Sequence, residues 1–168
     1  MTFFWSLLGL IILQRITELL IAKRNEKLLR NRGAVEYDRK GYKVIVVMHI
    51  LFFISIIAER NLRHTEINEF WYVYLTLFAI AQFVRYWAIL SLGTRWNTKI
   101  LVLPDSKLIA GGAYKYFKHP NYIAVITEIA VIPLIFSCYL TAIFFAVLNA
   151  ILLNRRINIE ERALQPQN

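Results

Sequence analysis

The segment from Gly111 to Tyr122, GGAYKYFKHPNY, combines residue types that bind polar ligands. Gly111 and Gly112 permit a positive φ or a close backbone approach to a ligand. Pro120 suits the first turn of a helix, and the start of that helix would offer free N–H groups and a positive dipole end to a carboxylate or a phosphate. A lone histidine is more often structural, but four polar side chains occur together here: Tyr114, His119, Asn121 and Tyr122. The grouping predicts a ligand site.

A second segment, RRINIEERAL, follows the last apolar block of the chain. Arg156 and Glu160 are four residues apart and can pair on one face of a helix. On its own the segment is typical of a solvated amphipathic helix, and that interpretation stays open. The connection Ser137–Tyr139 is short, so the last two apolar blocks should be antiparallel neighbours. We therefore expect this segment to meet the Gly111–Tyr122 segment at one end of the molecule.

Four ionisable residues lie inside apolar blocks: Arg15, Glu18, Arg85 and Glu128. Charged side chains are costly in a bilayer and are kept mainly where they pair or line a polar cavity. One interpretation is that Arg15 pairs with Glu18, and Arg85 with Glu128, only to join helices. The other is that they line a polar cavity that opens to the cytoplasm. The sequence leaves both open.

Composition indicates that these segments belong to a membrane protein. Of the 168 residues 58% are hydrophobic, against about 45–50% in soluble domains, and mean hydropathy is +0.47. The net charge of +9 comes from Lys and Arg residues between the apolar blocks. The positive-inside rule and lipid headgroups account for that pattern, so we expect membrane lipids and no nucleic acid as partners.

Cysteine and histidine usage predicts neither a disulfide nor a metal site. Cys138 is the only cysteine in the sequence, and the three histidines, His49, His64 and His119, have no metal-ligand spacing. The first apolar block lacks a basic leading region and a cleavage site, so we expect it to be retained as a helix.

Hydropathy predicts an all-α integral membrane protein of one domain, residues 1–168, with about five transmembrane helices. The expected spans are residues 2–22, 44–58, 70–92, 121–136 and 140–153. The last two are short and should extend as helices beyond the membrane on one side. Residues 23–43 hold eight Lys or Arg and residues 93–118 hold five, against two in residues 59–69. This asymmetry predicts an outside N-terminus and a cytoplasmic C-terminus, with a cytoplasmic helix extension.

The basic connection before the fourth block should contain a small cytoplasmic hairpin. Its sequence, KILVLPDSKLIAGGAY, has two short extended runs around the turn-forming residues Pro104, Asp105 and Ser106.

The two polar segments together resemble the isoprenylcysteine carboxyl methyltransferase family. The family pattern Gly-x-Tyr-x-x-x-Arg-His-Pro-x-Tyr is matched at Gly112, Tyr114, His119, Pro120 and Tyr122, with Lys118 in place of arginine. The closing pattern Arg-Ile-x-x-Glu-Glu-x-x-Leu is matched at Arg156, Ile157, Glu160, Glu161 and Leu164. With LSLGTRW before them, the resemblance covers roughly the last 80 residues. Ala113 stands in place of a common proline and Ala124 in place of a common glycine. Lysine keeps the charge but loses the bidentate fork, which puts an arginine-dependent carboxylate contact in doubt.

The resemblance implies a membrane enzyme that uses S-adenosyl-L-methionine without a Rossmann domain. The implied cofactor-binding residues are Gly112, Ala113, Tyr114, Lys118, His119, Pro120, Asn121, Tyr122 and Glu160. Arg156 and Glu161 would brace or complete the pocket, and Arg95 is the candidate for orienting the acceptor oxygen.

The expected reaction is O-methylation of a lipid-soluble acidic acceptor, a carboxylate or an enol hydroxyl. Candidate acceptors include an alkylpyrone-like polyketide, suggested by bacterial relatives, and a prenylcysteine-like compound. Two alternatives remain: a membrane NADPH-dependent reductase of related helical architecture, and a small transporter or structural membrane protein. The expected location is the bacterial cell membrane, and the sequence does not indicate an oligomeric state.

Overall fold

The protein is a bundle of five antiparallel helices, and the structure, a computed structural model, describes residues 2–104 and 109–165. The helices are α1 (Thr2–Asn31), α2 (Arg39–Arg63), α3 (Trp71–Leu92), α4 (Pro120–Ile135) and α5 (Tyr139–Ala163). Strands β1 (Val35–Tyr37) and β2 (Ile100–Val102) and two 3₁₀ turns, Gly93–Arg95 and Gly112–Lys115, lie in the connections. This confirms the predicted all-α membrane fold.

Four of the helices, α1, α2, α3 and α5, are long and apolar enough to cross a membrane. The remaining helix, α4, has 16 residues and is therefore about 24 Å long at 1.5 Å per residue. The prediction that the last two helices extend beyond their apolar parts is right for α5, which continues to Ala163. It is wrong for α4, because Pro120 begins that helix and a turn at Phe136–Cys138 ends it.

One end of the bundle, here the turn end, contains the α4–α5 turn and the start of α1. The guanidinium of Arg60 lies over the rings of Phe4 and Phe136, at 4.7 and 5.5 Å. The carboxylate of Glu59, at the end of α2, accepts from the backbone N–H of Thr141 at 2.7 Å and so caps α5. Apolar side chains of all five helices form the core behind this end.

The opposite end, here the motif end, holds the starts of α2 and α4 and the ends of α1, α3 and α5. There β1 pairs antiparallel with β2, and Glu36 lies opposite Leu101. The first run of the predicted hairpin is therefore a strand, but its partner comes from the connection between α1 and α2. The turn residues Asp105 and Ser106 and the start of the second run lie outside the described residues. Which compartment the motif end faces stays a prediction.

Candidate functional site

A cavity of about 360 Å³ runs from the motif end into the bundle, and all five helices line it. Its mouth carries polar side chains from several elements: Tyr42, Thr98, Lys99, Tyr114, His119, Asn121, Tyr122, Arg156 and Glu160. Its inner part carries Ile45, Val46, Phe53, Val125 and Leu152 as well as the polar side chains described below. The cavity is thus polar at its mouth and partly apolar at depth, the character of a small-molecule site.

The two predicted motifs meet at the mouth through Tyr122. Its hydroxyl donates to Glu160 Oε2 and accepts from Arg156 Nε at 2.9 Å. Arg156 and Glu160, predicted as a direct pair, are therefore joined through a side chain of α4. A second bond, from Arg156 Nη2 to the Thr98 carbonyl at 2.7 Å, ties α5 to the connection before β2. The ring of His119 stacks on Tyr122 with centroids 5.2 Å apart.

Lys118 and Glu161 lie beside the mouth without lining it. The Lys118 ammonium is 2.6 Å from Glu161 Oε1, and His119 Nε2 is 3.2 Å from the same oxygen. The lysine side chain is 73% exposed, so this pair is screened by water and contributes little to stability. Glu161 therefore braces the outer side of His119.

The 3₁₀ turn Gly112–Lys115 places Tyr114 at the mouth. Gly112 has φ +60°, and a Cβ there would lie 2.1 Å from Ser91 Oγ, so the glycine allows the turn to sit against α3. The buried N–H of Ala113 donates to Ser91 Oγ at 3.0 Å. Burial raises the pKa of Tyr114 to about 12, and the charge of Glu160 adds to the rise. Tyr114 is therefore a neutral phenol at the mouth.

The connection formed by residues 96–99 covers one side of the mouth, and neither of the two sequence motifs includes it. Asn25 of α1 donates to the Trp96 carbonyl at 2.8 Å, and Asn97 donates to the Ala22 carbonyl at 2.8 Å. Trp96 is only 2% exposed, and its buried indole N–H has no acceptor within the described residues. The sequence could have indicated this contact through Asn25, because Asn25 continues the helical spacing of Glu18 and Ala22 on the buried face of α1.

Arg15, Glu18, Arg85 and Glu128 form a single network that joins α1, α3 and α4. Arg85 Nη2 lies 2.6 Å from Glu128 Oε2, and Arg15 Nη1 lies 2.6 Å from Glu18 Oε2. Arg15 also pairs with Glu128, and Arg85 lies 3.4 Å from Glu18. Arg15, Glu18 and Arg85 line the cavity, whereas Glu128 is not among its lining residues. The interpretation that these charges only join helices is therefore wrong, because three of them also line the cavity. That the cavity opens to the cytoplasm stays a prediction.

The remaining predicted residues are placed as follows. Asn121 lines the cavity, and its side-chain oxygen is 3.4 Å from Arg85 Nη1. Pro120 is buried as the first residue of α4. Arg95 is exposed at the end of the first 3₁₀ turn and is not among the cavity-lining residues. Its proposed role in orienting the acceptor stays a prediction.

The fold and the cavity define a class of protein: a membrane-embedded helical bundle with an amphipathic internal pocket. The sequence model of the isoprenylcysteine carboxyl methyltransferase family matches residues 72–166, from α3 to beyond α5. The chain belongs to that family and is a methyltransferase-like membrane protein.

Two relatives extend the similarity over nearly the whole chain. The uncharacterized protein YpbQ of Bacillus subtilis (strain 168) is 45% identical over 162 residues, which are 96% of this chain and 96% of the relative. An uncharacterized protein of Haemophilus influenzae is 28% identical over 151 residues, 89% of this chain and 88% of the relative. No solved structure matches the chain.

Proposed function

We propose that the protein is an S-adenosyl-L-methionine-dependent O-methyltransferase whose acceptor is a lipid-soluble carboxylate or enol hydroxyl. The observation that carries the proposal is the junction of Tyr122, Arg156 and Glu160 at the polar mouth of a cavity that continues into the bundle. Family membership supports the reaction class. The proposed cellular location is the bacterial cell membrane, with the motif end in the cytoplasm.

The residues at the mouth fit the cofactor. Glu160 Oε1 has no hydrogen bond within the described residues and can accept from a ligand amine or hydroxyl. The buried indole N–H of Trp96 has no acceptor within the described residues and can donate to a ligand. Aromatic faces of His119 and Tyr122 suit a flat ring or a sulfonium. In this proposal Glu160, His119 and Tyr122 bind the cofactor together with the Gly112–Tyr114 backbone, and Arg156 fixes Tyr122.

The bound cofactor would supply an electrophilic methyl group on sulfur. The protein then has to position an acceptor oxygen in line with that methyl group and to exclude water, which can supply most of the rate. An acceptor that is already ionised needs no general base. A lipid tail would reach the cavity from the side, because Leu19 of α1 and Ile50 of α2 line the cavity and are also about half exposed.

Binding of S-adenosylhomocysteine to the detergent-purified full chain, measured by calorimetry, tests the proposal. We expect micromolar affinity in the wild type and its loss in His119→Ala and Glu160→Ala. Arg162→Ala is the matched control, since Arg162 lies on the same helix but is exposed. Transfer of a labelled methyl group to a lipid extract then tests for the reaction itself.

The outcomes separate the alternatives. A folded wild type that does not bind S-adenosylhomocysteine but binds NADPH would be a reductase. Binding of neither would mean that the protein is not an enzyme of these two kinds. Equal loss of affinity in Arg162→Ala and Glu160→Ala would place the effect in folding and not in the site.

A further inference from the structure

The inner part of the cavity contains an asparagine whose side chain has no partner among the described residues. Asn149 of α5 is 4% exposed and lines the cavity. No hydrogen bond joins its side chain to any residue in the ranges 2–104 and 109–165. Buried amides in proteins are almost always hydrogen-bonded, and a bilayer offers no replacement for a missing partner. The amide therefore requires a partner that occupies the cavity.

A histidine on α2 faces the same space. His49 lines the cavity, and its Nδ1 lies 2.8 Å from the Ile45 carbonyl oxygen. A carbonyl oxygen only accepts, so Nδ1 carries the hydrogen. In the neutral ring Nε2 is then a lone-pair acceptor, and it has no partner within the described residues.

Helix register places these two side chains at the same depth. Ser55 Oγ is 2.8 Å from Thr141 Oγ1, and the rings of Phe52 and Phe145 are 5.4 Å apart. Continued along the antiparallel pair α2–α5, this register brings His49 level with residues 148–149. The inner cavity therefore presents one acceptor, His49 Nε2, and one amide that can donate.

The charges nearby bear on what the partner can be. Arg15, Glu18 and Arg85 line the cavity, and with Glu128 they form two guanidinium and two carboxylate groups that balance. A carboxylate placed at this depth would add an uncompensated charge, whereas a neutral hydroxyl would add none. One hydroxyl can donate to His49 and accept from Asn149 at the same time.

We propose that His49 and Asn149 form a subsite that holds a neutral phenol-like or enol hydroxyl of the lipid-soluble ligand. This rests on the proposed function and narrows its acceptor class from acids in general to hydroxyls that arrive protonated. If the bound hydroxyl is the one that is methylated, the new O–CH₃ bond replaces O–H and the S–CH₃ bond breaks. The hydroxyl proton passes to His49 Nε2, and the positive charge moves from sulfur to the imidazolium.

The test compares three probes with one tail: 4-dodecylphenol, its methyl ether and 4-dodecylbenzoate. Affinities are measured on the full chain in nanodiscs, with and without S-adenosylhomocysteine. We expect the phenol to bind about tenfold more tightly than either other probe, the factor of roughly one good hydrogen bond. In His49→Leu the phenol and the ether should bind within about twofold of each other, because the acceptor that distinguishes them is gone. In Asn149→Leu both probes should lose up to about tenfold in affinity while the preference for the phenol remains, because either oxygen can accept from the amide.

Two controls separate a subsite from a structural role. Asn154→Leu, a change at an exposed asparagine on the same helix, should keep the wild-type affinity for both the phenol and the ether. Asn149→Leu without ligand should melt no lower than the wild type, because it removes an unpartnered amide. Unchanged binding of S-adenosylhomocysteine in both variants would show that the mouth is intact.

A phenol preference over the ether that survives in His49→Leu would overturn the proposal, and so would unchanged affinity for both probes in Asn149→Leu. Equal binding of phenol and benzoate by the wild type would overturn it as well. A clear fall in the melting temperature of Asn149→Leu would also overturn it, since the amide would then have a structural partner. The phenol-to-ether ratio can be measured without the cofactor product. Failure of the methyltransferase assignment would therefore appear separately, as absent S-adenosylhomocysteine binding.

Discussion

Removing one carboxylate from the buried charge network should be far more destabilising than removing a complete pair. Glu128 is 4% exposed and Arg85 is 3% exposed. Glu128 accepts from Arg85 Nε at 2.9 Å and Nη2 at 2.6 Å, and from Gln82 at 2.7 Å. Glu128→Leu leaves two guanidinium groups against one carboxylate within the bundle. Breaking a buried pair in this way costs about 3–5 kcal/mol.

The double variant Arg85→Leu/Glu128→Leu restores the charge balance. It leaves Arg15 and Glu18 as a pair at 2.6 Å. Replacing a whole buried pair with apolar residues is often neutral or stabilising, so we expect a free energy of unfolding within about 1–2 kcal/mol of the wild type. The single and double variants should therefore differ by at least about 1 kcal/mol, in favour of the double.

Unfolding free energies can be measured by titrating SDS into dodecylmaltoside micelles and following helicity by circular dichroism. Arg63→Leu is the control: its side chain is 58% exposed and 3.9 Å from Glu59, so its loss should cost no more than about 1 kcal/mol. If Glu128→Leu lowers the free energy of unfolding by no more than this control does, the network is hydrated and the reasoning fails. The same holds if the effects of the two substitutions simply add.

Three further experiments test the motif end. Gly112→Ala should lower stability by about 1–3 kcal/mol, because its φ is +60° and the new Cβ would meet Ser91. Tyr122→Phe should weaken S-adenosylhomocysteine binding about tenfold or more, since hydrogen bonds to charged partners contribute about 1.5–3 kcal/mol. Stability should fall between pH 10 and 12, because an unfolded tyrosine loses its proton near its ordinary pKa of 10, whereas Tyr114 keeps its proton up to about 12. The stability that Tyr114 contributes by keeping its proton in the folded state is fully present below pH 10.

Each of these has a matched control. Gly111→Ala should be tolerated in thermal melts, because φ is −99° and no atom lies within 4 Å of the added Cβ. Tyr72→Phe alters an exposed tyrosine and should leave calorimetric binding unchanged. Tyr114→Phe should flatten the stability profile above pH 10. Equal melts for the two glycine variants, equal affinities for the two tyrosine variants, or an unchanged alkaline profile would each contradict the corresponding explanation.

The sequence predicted the helices well but not their full lengths. Hydropathy located all five apolar blocks, yet α1 continues to Asn31 and α2 begins at Arg39, beyond the expected limits of residues 22 and 44. Hydropathy reports only the part that prefers lipid. The polar continuation of α1 is stabilised by pairs such as Glu26–Arg30 at 2.8 Å, which a hydropathy window does not register.

The site was predictable where it depends on local sequence and neighbouring helices. The short α4–α5 turn made it foreseeable that Tyr122 and Glu160 would meet. The pairing of β1 with β2, and the contact of Asn25 with the Trp96 carbonyl, join segments about 65–70 residues apart. Such pairings depend on how the helices pack, and no short motif encodes them.

The balance of charge differs between the depth and the mouth of the cavity, and this difference favours a different kind of ligand at each place. At depth the charges of the two arginines and two glutamates cancel. Asn149 and the Nε2 atom of His49, which have no partner in residues 2–104 and 109–165, are neutral hydrogen-bonding groups. At the mouth Glu160 keeps a carboxylate oxygen without a partner in the part of the chain that the structure describes. A cationic ligand is therefore better placed at the mouth, and a neutral hydroxyl on an apolar tail is better placed at depth. Under the proposed function, this order would keep the charged cofactor near water and would let the uncharged acceptor enter beside Leu19 and Ile50.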